Sequence, residues 1–358
     1  MNMVNACWMT RSLGEPVSAV AAKQSNSILA GGWNGALACW SGDGDLQWKH
    51  HLHDRIGDIT YNDEIIFVTS GLHLVAVDDS TGETIWQSEL EGSADLVIVH
   101  NDYVYATSSV YDIEHNDFLD SAIWCFDTKG KQIWNIHLSE RPWTLMPFED
   151  EIILGLGRPR KGALAINSKG VERHFNLQSK APVTSGINHQ GKPIFGHSNG
   201  DISDINGLLI QTNNESIEDI LICQKSNFHI RSEGAFQSLN KEHIINWTLE
   251  KTNISNSCIG FEVEDLETLW LSTWQGTQGE LIVYSLQTGG EISLMNCHRI
   301  NAIICNNQRV VVGDENGEVF VWDKEMFNRR LQHHINDGEE DDRHRQSMRD
   351  KIKALKKR

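Results

Sequence analysis

Short apolar runs, either alternating or continuous, recur along the whole chain and are separated by polar turns. The clearest set reads IGDITYND, EIIFVTSG, HLVAVDDS and TIWQSEL at residues 56–63, 64–71, 73–80 and 84–90. Short runs rich in β-branched residues predict strands, and the polar segments between them predict tight turns. The pattern therefore predicts a unit of four short antiparallel strands.

Two kinds of turn repeat with these strands. The turn before the last strand reads SGDGDLQW, DSTGETIW and DTKGKQIW at residues 41–48, 79–86 and 127–134, with weaker copies at 167–175 and 285–295. The turn between the second and third strands reads GGWNG, GHSNG and GDENG at 31–35, 196–200 and 313–317. Glycine permits the positive φ that such turns need, and Asn-Gly between β-rich runs is a strong hairpin signal.

The repeat length predicts the fold. Comparable units begin near Val17, Ile56, Ala94, Trp143, Val183, Ile217, Ser257 and Arg299. The residues before Asp337 then divide into eight units of about 42, and a period of 40–45 residues with four strands is typical of a β-propeller blade. We predict an all-β propeller of four-stranded antiparallel blades over residues 1–336. Eight blades are expected; seven would require residues 183–250 to form a single blade.

The repeats also resemble two known families. Residues 76–86, AVDDSTGETIW, look like the repeat of pyrroloquinoline-quinone-type propellers, in which a closing Trp docks between neighbouring blades. The matching positions are Trp48, Trp86 and Trp134; units four to eight offer only Phe175 or no aromatic residue there. The last unit, GDENGEVFVWD at 313–323, instead resembles a WD40 blade. Both resemblances imply a propeller fold.

Residues 4–13 are expected to close the ring. The final unit has three clear strands followed by a poor candidate, MFNRRLQHH at 326–334, whereas the segment VNACWMT at 4–10 is apolar enough to be a strand. An open ring would leave a long unpaired strand edge, which soluble proteins avoid. The alternative is a frayed terminus, and Trp8 within the apolar segment argues against it.

Charge narrows the range of partners. Hydrophobic residues make up 39% of the chain and charged residues 22%, and the formal net charge is −18. This charge disfavours binding of nucleic acid or anionic membranes by the propeller. Residues 337–358 contain six acidic and eight basic side chains, and we predict a charged tail that is disordered or forms a short helix. Contact with nucleic acid is expected, if at all, only through the basic residues 343–358.

The cysteines and the termini bear on location. Seven widely spaced cysteines without a CxxC motif indicate neither a disulfide framework nor a zinc site. No basic region followed by a sustained apolar stretch occurs at residues 1–13, and no apolar run approaches the roughly 20 residues that cross a bilayer. We expect a cytoplasmic protein without a membrane segment.

No set of residues predicts a catalytic or cofactor site. The quinone-dependent relatives are exported and hold the cofactor with metal-coordinating carboxylates and, in many members, adjacent cysteines. This chain lacks adjacent cysteines, so the resemblance implies a scaffold without a cofactor. His51 and His53 share one face of a strand, but no nearby residue completes a metal site. Walker and HExxH motifs are absent, and GHSNG at residues 196–200, which has the GxSxG spacing, is one of the repeat's hairpin turns rather than the strand-to-helix turn that presents a nucleophilic serine. We expect a non-enzymatic protein; the alternative is a small-molecule-binding or enzymatic propeller that uses the central channel.

The loops between second and third strands predict an interaction face, since insertions on one propeller face often build a partner site. The third unit carries a long insertion at residues 109–120, the fourth has a basic loop at 157–161, and two Trp residues lie at turn tips. The candidate interaction residues are Trp33, Tyr111, Asp112, Phe118, Arg158, Arg160 and Trp274. The alternatives are a salt network between the acidic and basic loops, and Trp side chains that pack over their own blades. The partner would be a protein, which the sequence does not name.

Overall fold

The structure is a computed structural model that describes residues 3–62, 64–114, 116–212, 215–223 and 227–332. Eight four-stranded antiparallel sheets form the blades of a propeller, which confirms the fold and the blade number predicted from the repeat. The innermost strands of neighbouring blades contact one another around a central channel. The predicted tail, residues 337–358, lies outside the described residues.

The first four blades follow the chain from the innermost strand outward. Their strands are β2 (Val17–Ala22), β3 (Ile28–Gly32), β4 (Ala36–Trp40) and β5 (Leu46–His51); β6 (Ile56–Tyr61), β7 (Ile65–Ser70), β8 (His73–Asp78) and β9 (Thr84–Glu89); β10 (Ser93–His100), β11 (Tyr103–Asp112), β12 (Asp117–Asp127) and β13 (Gln132–Leu138); β14 (Pro142–Phe148), β15 (Glu151–Leu156), β16 (Gly162–Asn167) and β17 (Glu172–Phe175).

The last four blades continue in the same way, except that the outermost strand of blade 8 comes from the start of the chain. Their strands are β18 (Val183–His189), β19 (Lys192–His197), β20 (Asp201–Asp204) and β21 (Leu209–Gln211); β22 (Ile217–Ile222), β23 (Phe228–Ser232), β24 (Ala235–Leu239) and β25 (Ile245–Glu250); β26 (Ile254–Ile259), β27 (Thr268–Trp274), β28 (Gly279–Ser285) and β29 (Glu291–Cys297); β30 (Ile300–Cys305), β31 (Arg309–Asp314), β32 (Glu318–Asp323) and β1 (Met9–Ser12).

The beginning of the chain closes the ring. Strand β1 pairs antiparallel with β32, with Met9 opposite Val321 and Ser12 opposite Glu318. Only residues 9–12 of the expected segment 4–13 are strand, because Met3–Ala6 form a short helix, α1, instead. This helix is fixed to the last blade, since the indole Nε1 of Trp322 donates to the Met3 carbonyl at 2.9 Å.

The segment after β32 is helical rather than extended. Residues 324–332 form helix α2, so the poor strand candidate at 326–334 is not a strand in its described part, and β1 supplies the fourth strand of the blade as predicted. The Asp323 carboxylate accepts the Met326 backbone N–H at 3.3 Å, as a helix cap does. Phe327 and Leu331 lie one turn apart and are buried in the same cluster as Met3. The four-residue spacing of Phe327 and Leu331, which puts both on one face of a helix, therefore explains why this segment is helical.

The hydrophobic core lies between blades, and glycines in the second strands allow neighbouring blades to approach closely. A Cβ added at Gly31 would lie 2.4 Å from Cγ2 of Ile56, the first residue of the next blade. The same contact recurs at Gly155 with Val183, Gly196 with Ile217 and Gly313 with Val17. A β-branched side chain thus packs against a glycine at four of the blade junctions.

The innermost strands contain a bulge near their first residue and hydrogen-bond to the next blade at the same level. The Ser18 hydroxyl donates to the Ile56 carbonyl at 2.7 Å, and the Asn301 amide donates to the Val17 carbonyl at 2.9 Å across the closure of the ring. Bulges re-aim side chains and are common beside functional sites. Here the bulged residues Ser18 and Asn301 direct their polar side chains to the first strand of the next blade.

Candidate functional site

One face of the disc carries the predicted interaction residues. The connections between second and third strands and those between consecutive blades lie at the same ends of the strands, and we call their common surface the loop face. Trp33 lies in the β3–β4 turn, residues 113–116 join β11 to β12, residues 157–161 join β15 to β16, and Trp274 ends β27. The four features are therefore distributed over blades 1, 3, 4 and 7.

The insertion at 109–120 is a strand extension rather than an irregular loop. Pairing of β11 with β12 continues through Tyr111 opposite Phe118 to Asp112 opposite Asp117. The flanking strands stop earlier, because β10 begins opposite Ser109 and β13 ends opposite Ser121. Residues 110–114 and 116–120 thus project from the loop face as a two-stranded ribbon, which we call the blade 3 ribbon.

The blade 3 ribbon exposes large apolar side chains. Ile113 is 85% exposed, Leu119 61%, Tyr111 47% and Val110 38%. Elsewhere in the described residues, exposed side chains of this size stand mostly singly on outer strands or in turns. A cluster of exposed apolar side chains on a soluble protein marks an interaction site more often than isolated ones do.

An aromatic and arginine stack joins the ribbon to blade 4. The rings of Tyr111 and Phe118 meet edge to face with centroids 5.1 Å apart, and Phe118 lies 6.2 Å from Trp143. The Arg141 guanidinium lies 4.0 Å from the centroid of Phe118 and 4.4 Å from that of Trp143. Its Nη2 is 3.3 Å from the Asp95 carboxylate, whose pKa is raised by burial despite hydrogen bonding and this positive charge. Arg141 is therefore held in place by a carboxylate and two rings.

A cavity of about 590 Å³ opens between the ribbon and the blade 4 loop. Its lining comes from blades 3, 4 and 5: Asp117, Phe118, Ser139, Arg141, Trp143, Gly157, Arg158, Pro159, Pro182, Val183, Thr184 and Ser198. The structure thus brings two of the predicted residues, Phe118 and Arg158, to one cavity. Tyr111 does not line the cavity, but its ring packs against that of Phe118. Arg160 is exposed on the same blade 4 loop as Arg158.

The other predicted residues have different surroundings. Trp33 and Trp274 do not line this cavity. Trp33 is exposed, and the Arg55 guanidinium lies 3.9 Å from its ring centroid. Trp274 is half-buried, and its backbone N–H donates to the Asn253 carbonyl. The Asp112 carboxylate accepts the Glu114 N–H at 2.8 Å within the ribbon.

The predicted docking residues contact the following blade on the opposite face. The indole N–H groups of Trp48, Trp86 and Trp134 donate to the carbonyls of Asp79, Thr128 and Ser168 at 2.7, 3.0 and 3.0 Å. Each ring lies against a turn glycine of that next blade. Trp48 is buried, whereas Trp86 and Trp134 are half-buried.

The expectation that units four to eight offer only Phe175 in this role was wrong. Trp247 of blade 6 donates to the Leu286 carbonyl at 3.0 Å, and its ring lies against Gly289. The turn before it differs from the repeat, because His243 has a φ of 62° where the other turns have glycine. A motif search that requires glycine therefore misses this docking residue.

The carboxylates of the central channel bind the next blade. A cavity of about 290 Å³ in the channel is lined in part by Asp58, Glu218 and Asp219. Asp58 accepts the Val97 N–H of blade 3 at 3.0 Å, and Asp219 accepts the Ser257 hydroxyl of blade 7 at 2.9 Å. Burial is the largest influence on both carboxyls and raises their pKa. These groups thus connect neighbouring blades.

One serine and histidine pair resembles part of a nucleophilic site. Nε2 of His197 accepts the Ser203 hydroxyl at 2.7 Å, because its Nδ1–H donates to the Ala181 carbonyl at 3.0 Å. Both side chains are completely buried. Burial lowers the pKa of His197, and no substrate can reach the Ser203 hydroxyl in this arrangement. The pair connects two strands of blade 5 and the segment that leads into them.

Two further features concern metals and membranes. Within the described ranges, no group of three or more His, Cys, Asp or Glu side chains is placed to hold a metal ion. All seven cysteines are free. Neither of the described helices has the length and apolarity that a bilayer crossing needs.

Comparison with known proteins places the fold among the repeat propellers. Residues 5–155 match the sequence model of a family described as outer membrane protein assembly factor BamB. No curated protein matches the chain significantly in sequence.

Several solved propellers resemble the structure closely at low sequence identity. Sqt1 of Saccharomyces cerevisiae superposes with a TM-score of 0.71 at 13% identity, over 89% of this chain and 99% of that one. BamB of Moraxella catarrhalis gives 0.68 at 15% identity, over 88% and 97%, and the computationally designed Ika8 protein gives 0.70 at 14%, over 87% and 98%. The structural matches show that the chain has the β-propeller fold, and the family-model match shows that its repeats over residues 5–155 are similar in sequence to that family.

Proposed function

We propose that this protein is a non-catalytic scaffold that binds partner proteins through its loop face, with the blade 3 ribbon at the centre of the contact. The observation that carries the proposal is the concentration of exposed apolar side chains on the ribbon beside the exposed Trp143. Aromatic and aliphatic anchors in or beside a cavity supply most of the energy of protein interfaces. The ribbon projects from the disc, so a partner can reach it without rearrangement of the blades.

The surroundings of the polar groups support a non-enzymatic role. The channel carboxylates Asp58 and Asp219 bind neighbouring blades, and Ser203 is buried. The family whose model matches residues 5–155 is described as an assembly factor, which is a role exercised on other proteins. We extend that kind of role to this chain, with a partner that is still to be identified.

We also propose a cytoplasmic location. Seven free cysteines, most of them buried, accord with a reducing compartment, because exported proteins usually pair their cysteines. Cell fractionation with a tagged full-length chain tests this, and recovery in an exported or membrane-bound fraction would contradict it.

The interaction proposal is tested by affinity purification from the native cell with quantitative mass spectrometry. The test variant carries Tyr111→Ser and Leu119→Ser on the ribbon. The matched control carries Ile85→Ser and Ile133→Ser, which are similarly exposed positions on outer strands. The ribbon variant should lose proteins that the wild type and the control both retain by at least about tenfold, as expected for loss of anchor residues. Equal recovery with all three chains would refute the proposal.

A further inference from the structure

We infer that the cavity beside the blade 3 ribbon binds an extended acidic segment of a partner protein. Carboxylates of the segment would lie on Arg158 and Arg160, and an apolar side chain would lie against the exposed surface of Trp143. This inference rests on the proposed function and names the chemistry of the partner at that same face.

The basic side chains beside the cavity indicate an acidic ligand. The chain has a formal charge of −18, yet the blade 4 loop presents three basic side chains, Arg158, Arg160 and Lys161, against one acidic side chain in the lining, Asp117 of the ribbon. Among the described residues, neither Arg158 nor Arg160 forms an ion pair, and both are exposed. Unpaired guanidinium groups are suited to bidentate hydrogen bonds with carboxylates. An acidic segment would therefore find here an attractive site on a surface that otherwise repels it.

Arg141 has a different part in the cavity. Its guanidinium is already paired with Asp95 and stacked against two rings, so its charge is largely balanced. It therefore contributes a flat surface that holds Phe118 and Trp143 in position. Trp143 remains 43% exposed, which leaves an aromatic surface for an apolar side chain of the partner.

The cavity is lined by residues of three consecutive blades, which favours a ligand with an extended backbone. The cavity runs from Asp117 and Phe118 of blade 3 past the 157–159 loop of blade 4 to Pro182 and Ser198 of blade 5. Its volume of about 590 Å³ lies within the range of known ligand-binding pockets, so it can hold more than one side chain of a bound segment. A β-like segment advances about 3.3 Å per residue and alternates its side chains, so one residue can reach the rings while its neighbours reach the arginines.

Selection from a random dodecapeptide display library on the immobilised full-length protein tests the inference. Selections run in parallel on the wild type, on Arg158→Glu with Arg160→Glu, and on Lys129→Glu with Lys131→Glu. The last variant makes the same charge change at two exposed lysines in the β12–β13 turn of the opposite face. The strongest peptide from the wild-type selection is then measured by fluorescence anisotropy against all three chains, whose folding is checked by thermal unfolding.

The inference requires that peptides selected on the wild type be enriched in Asp and Glu and carry an aromatic or aliphatic residue. Affinity should fall at least about tenfold in the Arg158 and Arg160 variant and less than about twofold in the lysine control, and rising salt should weaken binding. If Arg158→Glu with Arg160→Glu lowers the unfolding temperature, Arg160→Glu alone replaces it, with the same direction required.

Four outcomes would overturn the inference: no enrichment over bare beads, selection of basic peptides, an equal loss in the lysine control, or tighter binding of a single-stranded DNA 20-mer than of any selected peptide. If the ribbon variant still loses cellular partners in any of these cases, the scaffold proposal stands and only the acidic chemistry of the partner is wrong. If both tests fail, the loop face is not a docking surface.

Discussion

The indole ring of Trp86 occupies the space that any side chain at Gly130 would need. A Cβ added at Gly130 would lie 2.7 Å from the ring, and the indole N–H donates to the Thr128 carbonyl two residues before that glycine. The docking Trp of one blade and the turn glycine of the next are therefore one structural feature. This explains why Gly and Trp recur together in the repeat.

Gly130→Ala should destabilise the protein by about 2–4 kcal/mol. The alanine would have to adopt a φ of 88°, which costs about 1 kcal/mol, and the clash with Trp86 adds about 1–3 kcal/mol as in other overpacked sites. Gly276→Ala is the matched control, because its φ is 87° and nothing lies within 4 Å of the added Cβ. Denaturant unfolding of the wild type and the two variants measures the free energy of unfolding. Equal losses in the two variants would show that the contact with Trp86 does not contribute to stability.

Trp247→Ala should cost about 3 kcal/mol, near the lower end for truncation of a large aromatic residue because the ring is only half-buried. Trp33→Ala should cost less than about 1 kcal/mol, as for most exposed positions. Unfolding midpoints compare the two. A loss at Trp247 as small as that at Trp33 would mean that docking in blade 6 adds little stability.

The fold could be predicted from the sequence because each blade carries the same local signals. Strand runs and turn glycines fixed the number of units without any knowledge of contacts. Blade 6 was the weak point, because His243 adopts the positive φ that glycine adopts in other turns, with Asn240 accepting the surrounding N–H groups. Asp127 caps the turn of blade 3 in the same way although that turn keeps Gly130, so the blade 6 turn retains the geometry of the repeat with a different residue at the positive φ.

The candidate site could be predicted only in part. The insertion and the basic loop were visible as departures from the repeat, and they proved to share one cavity. Arg141 and Trp143 were missed because Trp143 appeared to be an ordinary first residue of a strand. In the structure it sits in a bulge between Pro142 and Thr144, and its ring packs against Phe118 and Arg141. A bulge leaves no reliable mark in a single sequence.

Deletion of residues 1–13 should lower the melting temperature sharply or cause aggregation. It removes strand β1 from the edge of β32 and also helix α1, whose Met3 is completely buried. An unpaired edge on the last blade would then be free to pair with other chains. Size-exclusion chromatography and thermal unfolding test this, and a monomer with unchanged stability would contradict the closure.

Stability should fall as the pH decreases from about 6.5 to about 4 because of His229. Its side chain is completely buried, neither ring nitrogen has a partner among the described residues, and it packs against Phe236 and Trp247. Burial lowers its pKa to about 4, so the unfolded chain binds the proton more readily. The loss should approach about 3 kcal/mol below the folded pKa, since each tenfold difference in proton affinity between the folded and unfolded chains corresponds to about 1.4 kcal/mol.

His229→Phe isolates this effect from the carboxyls Asp58 and Asp219, whose raised pKa values act in the opposite direction as the pH falls. The difference in unfolding free energy between wild type and variant should change with pH over this window. A difference that is constant between pH 7 and pH 4 would refute the assignment to His229.

The most direct test of the docking surface is photo-crosslinking in the native cell. p-Benzoylphenylalanine is placed at Leu119 on the blade 3 ribbon or at Ile133 on the neighbouring outer strand, both exposed positions of the same blade. A partner that binds the loop face should give a discrete higher-mass adduct from position 119 and none of comparable strength from position 133. An equal adduct from position 133, or no adduct from position 119, would contradict the placement of the interaction on this face.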